Sequence, residues 1–135
     1  MFGDLGSVRA TLKERLAPAL PQGFKRWTID EYLKAPPTEY RTPLIMFEFT
    51  RFDQEAFGQR LAGGAVAAGI DIVLGSPKTG EKGEDDVDEL ALTLIRILDK
   101  QSDIYWSPAT KQTFEATGQW VWRIPLTVLT ETKEQ

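Results

Sequence analysis

The chain of 135 residues is 41% hydrophobic and 27% charged, the balance of an ordinary soluble globular domain with a single core. Its net charge of −4 is the wrong sign for gripping a nucleic-acid backbone. Cysteine and histidine are both absent, which excludes disulfides, thiolate metal sites, Ser-His-Asp and Cys-His nucleophiles, HExxH zinc sites and any imidazole base.

In chain order, Leu5, Val8, Leu12 and Leu16 fall at spacings of three and four, predicting an amphipathic helix over about 6–17, capped by Asp4 or Ser7 and weakened by Pro18. No signal-peptide core accompanies Asp4, and no apolar run approaches the ~20 residues of a membrane span. Residues 24–30 (FKRWTID) read as a short strand. The stretch EYLKAPPTEYRTP, with three prolines, reads as an extended surface crossing. Residues 44–52 (LIMFEFTRF) predict a strong strand, with Ile45, Phe47, Phe49 and Arg51 on one face and Leu44, Met46, Glu48, Thr50 and Phe52 on the other. Residues 53–60 read as a polar connection. In 61–74 (LAGGAVAAGIDIVL) the second half alternates as a strand, and its glycines point to a bulge or a close backbone approach.

Residues 76–86 carry no hydrophobic side chain and read as a flexible polar loop. A capping box at Asp86 and Glu89 then opens a helix whose stripe is Val87, Leu90, Ala91, Leu94, Ile95 and Leu98. Leu92 and Ile97 widen that stripe, implying cover on more than one side. The last two strands are 104–114, interrupted at Ser107-Pro108, and 119–130, after a turn at Thr117-Gly118. In the final strand Trp120, Trp122, Ile124, Leu126 and Val128 share one face, and Pro125 calls for an edge position or a bulge. The order α-β-β-β-α-β-β makes one α+β domain over 1–135. It is a mostly antiparallel sheet of four to five strands with both helices packed on one face.

The polar stretch contains G-S-P-K-T-G-E-K-G, but Glu81 stands where a phosphate loop needs its lysine and Lys82 where it needs a hydroxyl. The acids at 84–89 lack EF-hand spacing and complement the positive end of a helix dipole. Lys25, Arg26 and Arg41 form no basic stripe with interleaved aromatics. Catalytic, cofactor and metal residues are therefore not expected. Candidate partner contacts are Lys78, Lys82, Glu84 and Asp85 in the polar stretch, and Trp120, Trp122 and Arg123, residue types favoured at binding hot spots.

The layout as a whole resembles the tail terminator proteins of long-tailed, siphovirus-type (lambda-like) bacteriophages. It is carried by LAPALPQGFKRW after the opening helix, the strand TPLIMFEFTRF after a proline crossing, IDIVLGSP, the helix DDVDELALTLIRILDK and the closing SPATKQTFEATGQWVWRIPLTVLTE. The resemblance implies a non-enzymatic virion protein of the tail, assembled in the host bacterial cytoplasm. Six copies would form a ring on the last ring of the tail tube protein, stop its polymerisation and offer a surface to the head-proximal connector. DNA would pass through the ring without specific binding, and no cofactor or membrane is implied. The alternatives are another head-tail connector or tail-completion protein, a soluble adaptor taking a peptide at a sheet edge, or an enzyme built on carboxylates alone.

Overall fold

The computed structural model describes residues 2–24, 27–32, 43–114 and 119–131, with the backbone alone at 77–79 and 113–114. The proline-rich crossing over 33–42, the bases Lys25, Arg26 and Arg41 and the Thr117-Gly118 turn lie outside these residues. Helix α1 (Val8–Ala19) follows a short 3-10 turn at Leu5–Ser7 and buries Val8, Leu12 and Leu16, the positions its spacing selects. Neither expected cap forms. Ser7 Oγ donates backwards to the Asp4 carbonyl at 2.9 Å instead.

The described strands are β1 (Thr28–Asp30), β2 (Leu44–Asp53), β3 (Glu55–Ala56), β4 (Gln59–Arg60), β5 (Ala65–Thr79), β6 (Ile104–Trp106), β7 (Thr110–Phe114) and β8 (Gln119–Glu131). Six of them form one sheet in the order β1-β2-β5-β8-β6, with β7 also on β8, so it is larger than the four to five strands expected. Only the short edge strand β1 runs parallel to its neighbour; every other pair is antiparallel.

Helix α2 (Gly80–Asp99) and α1 cover the same face of this sheet. The core between them joins Leu12, Leu16, Leu90 and Leu94 to Phe47 of β2, Ile70 and Ile72 of β5, and Ile124 and Leu126 of β8. The fold is α+β with two helices on one face, as the element order requires. The opposite, open face holds a small cluster of its own, Leu44, Met46, Val73 and Val121.

Two irregularities shape this sheet. In β2 the pairing steps from Phe49↔Ile70 to Arg51↔Gly69, leaving Thr50 as an extra residue. A one-residue bulge reverses the side-chain alternation beyond it. Phe52 therefore shares a face with Phe49, their rings 5.4 Å apart, and Arg51 turns to the open face, the reverse of plain alternation. Gly69 sits opposite the bulge because a Cβ there would lie 2.6 Å from Arg51 Cγ.

The second irregularity separates β6 from β7. Trp106 pairs with Leu126 and Thr110 with Arg123, so residues 107–109 face only Ile124 and Pro125. Pro125 has no N–H to give, and its carbonyl accepts from Ser107 N at 2.8 Å. The break falls where the ladder lacks a donor, which is the bulge that Pro125 calls for.

The polar stretch 76–86 is not a loop. Strand β5 runs through to Thr79, Gly80 adopts φ 71°, and α2 begins at once. Glycine permits this direct strand-to-helix junction because the left-handed region costs it little. Asp86 and Glu89 lie inside the helix, so they form no capping box. The short ribbon β3–β4 likewise replaces the polar connection expected over 53–60.

Candidate functional site

The sequence candidates fall into two groups on opposite faces of β8. On the helix face, Trp120 and Trp122 are partly buried against the core. Their partner is Lys111 of β7, whose Nζ lies 4.9 Å and 5.6 Å from the two ring centroids. From α2, Glu84 Oε2 and Asp88 Oδ1 accept from the same ammonium at 2.5 and 3.3 Å, and Asp88 Oδ1 also accepts from Trp122 Nε1 at 2.7 Å. Hydrogen bonding to Glu84, joined by Asp88, raises the Lys111 pKa above its ordinary value and keeps it charged. This knot ties the edge strand β7 to α2. It uses both tryptophans and Glu84 within the chain, so they are structural contacts first.

On the open face, Arg123 Nη1 donates to Glu48 Oε1 at 2.9 Å and to Asp71 Oδ2 at 3.1 Å. The register sets Glu48 of β2 directly opposite Asp71 of β5, an arrangement that like charges disfavour. Arg123 resolves it from β8. Burial opposes the charge on Arg123, and the bonds to Glu48 and Asp71 outweigh it, so its pKa is raised. Lys82 and Asp85 are exposed on the first turns of α2. Lys78 lies in β5, and its side chain is outside the described residues.

Further along the open face the ribbon β3–β4 folds back over the sheet. Its two-residue turn places Phe57 at φ 54° and Gly58 at φ 78°. Positive φ at both central positions is the type I′ pattern, which favours Asn-Gly and makes Phe57 an outlier. The Phe57 ring meets Tyr105 of β6 with centroids 4.4 Å apart, and both side chains are exposed. Beneath them is a polar cleft of about 340 Å³ lined by Arg51, Asp53, Glu55, Ser107 and Thr127 among others. Arg51 Nη2 donates to Thr127 Oγ1 at 3.0 Å, and Asp53 Oδ1 caps the ribbon by accepting from Glu55 N. The sequence carries a turn signal here in Phe57-Gly58, but only the bulge in β2 reveals that Arg51 and the ribbon share a face.

A second aromatic-cation group lies at the start of α1. The Arg9 guanidinium is sandwiched between Tyr32 and Phe49, 4.5 and 4.6 Å from the two ring centroids. Arg15 stacks on the buried ring of Phe2 and makes a bidentate pair with Asp103, at 2.6 and 2.9 Å. The hydrogen bonds from Arg15 hold the Asp103 carboxyl below its ordinary value.

No family model matches the chain, and no curated protein matches it significantly.

Among the described residues, no group of three or more acidic side chains is gathered to hold a metal ion. On each face two carboxylates share one cation: Glu84 and Asp88 share Lys111, and Glu48 and Asp71 share Arg123. These contacts fix geometry and keep Lys111 and Arg123 charged. A general acid or base needs a pKa near the working pH, and these two cations are pushed further above it. What the arrangement offers is a platform tied across its strands and second helix by ion pairs, with exposed aromatic, acidic and apolar points.

Proposed function

We propose that the chain is a structural assembly subunit of the phage tail terminator type. In this reading it forms a six-membered ring on the last ring of a tail tube, halts polymerisation and presents a face to the head-proximal connector. The observation that carries the reading is the element order. An opening helix, a long-stranded antiparallel sheet and one long second helix on the same face follow the layout the resemblance implies, over nearly the whole chain. Charges paired within the chain and long strands suit a subunit whose work is packing. No described helix is long and apolar enough to cross a membrane.

The test is polymerisation itself. The chain is added in increasing amounts to polymerising tube protein from the same genome, and tube lengths are measured by electron microscopy. Termination predicts tubes that shorten and then hold a fixed length as the chain is added. An unchanged length distribution at saturating amounts contradicts it.

A further inference from the structure

The second helix carries one large apolar residue that the fold leaves exposed. Its periodic apolar stripe includes Leu92 at the margin, and the structure places Leu92 outside the core, 49% exposed. Ile97, which widens the stripe in the same way, is packed against the core. Leu92 stands on the solvent face of α2 with Asp85, Glu89 and Arg96, at helical spacings of four, three and four, all exposed. Asp85 and Glu89 make no ion pair among the described residues.

Elsewhere on the surface is a matching hollow. Between α1 and the edge strand β1 lies a cleft of about 230 Å³, bounded among the described residues by Lys13, Ala17, Leu20, Trp27, Thr28 and Ile29. Its walls are chiefly apolar, and Lys13 is exposed and without an ion pair among the described residues. Trp27, 4% exposed, leaves its indole Nε1 buried with no acceptor, so this wall is not fully satisfied in the isolated chain.

We propose that Leu92 of one copy seats in the α1–β1 cleft of the next, with Lys13 at the rim pairing with Glu89 or Asp85 across the interface. The occupant is a second copy of this chain because the knob face carries two unpaired acids, Asp85 and Glu89, against one base, Arg96, and Lys13 at the hollow is opposite in sign to that acidic excess. A knob and a hollow on different parts of one surface make a head-to-tail contact, which closes into a ring when the rotation permits and otherwise runs on as a filament. The inference deepens the ring reading and rests on it, naming the surfaces through which copies would meet.

The chain has no cysteine, so introduced thiols report contacts cleanly. Under oxidation, the double variant Leu92→Cys/Ala17→Cys should give a ladder of cross-linked oligomers, while each single variant should stay monomeric on denaturing gels. A dimer from Leu92→Cys alone would show a symmetric contact and overturn the proposal. Independently, sedimentation over a concentration series should find Leu92→Asp roughly ten- to a hundredfold weaker in self-association, since an anchoring leucine is lost. Lys13→Glu and Glu89→Lys should each weaken association, and their combination should restore it. Self-association left intact by Leu92→Asp would overturn this contact while leaving the ring reading in place. Absence of self-association both alone and on tubes would overturn both.

Discussion

Replacing Arg123 with Met removes the one cation that separates two carboxylates held face to face. The parent contacts are short, 2.9 Å to Glu48 and 3.1 Å to Asp71, but they differ in shelter. The Asp71 side chain is 14% exposed and Glu48 is 35% exposed. The Asp71 arm should contribute roughly 1–2 kcal/mol, and the Glu48 arm, screened by water, under about 1 kcal/mol. Their directly opposed register adds a repulsive term once the guanidinium is gone. The expected total for Arg123→Met is about 2–3 kcal/mol, enough to lower the melting temperature by roughly 6–12 °C in a domain of this size. Urea denaturation at neutral pH of the parent, Arg123→Met, Asp71→Asn and the double variant would give a coupling of roughly 1–2 kcal/mol. A loss below about 0.5 kcal/mol, or no coupling in the cycle, would refute the reasoning that the triad holds the open face together.

Other outcomes follow from the same geometry. Asp103 has its pKa lowered from 3.8 by Arg15, so its contribution is present above that value and lost as pH falls through the folded-state value. Asp103→Asn should therefore cost about 1 kcal/mol at pH 7 and almost nothing near pH 2, compared by chemical denaturation at the two conditions. Gly69→Ala drives a Cβ into Arg51 Cγ and should cost about 1–3 kcal/mol in the denaturation midpoint, with the Arg51–Thr127 bond lost from the structure of the variant. Phe57→Asn should leave stability within about 1 kcal/mol, relief of the left-handed strain offsetting the lost ring contact; a larger loss would mean that Phe57 pins the ribbon to the open face. Fluorescence anisotropy should find no duplex DNA binding at physiological salt, given the net charge of −4.

Periodicity made much of this fold legible. The alternation in β8 set Trp120, Trp122, Ile124, Leu126 and Val128 on one face, which packs against the helices, and the interruption read at Ser107-Pro108 is the break between β6 and β7. Composition misled where apolar residues were missing for reasons other than disorder. In 76–86 the strand β5 runs on at the end of the sheet and the first turns of α2 are solvated, so neither needs a hydrophobic pattern. In the opening stretch of α2 only Glu81 lies in the first turn, at the positive end of the helix dipole, while Glu84 and Asp88, further along, hold Lys111. Beyond Phe49 the predicted faces of β2 were inverted by a single extra residue, which no alternation count can reveal. The same residue hid the open-face cleft, since it alone aims Arg51 towards Thr127. Candidate residues chosen by type fared unevenly. Trp120, Trp122, Glu84 and Arg123 are engaged within the chain, whereas Lys82 and Asp85 are exposed, and the cleft at Lys13 arises only when α1 meets β1.

The central claim is a closed ring at a tube end, and imaging that end tests it most directly. Tubes assembled with the chain present should show, by averaged electron micrographs, one added layer of six subunits at a single end, with no further growth beyond it. Tube ends without the added layer, a layer of other symmetry, or the chain stacking into continuing filaments would contradict the account.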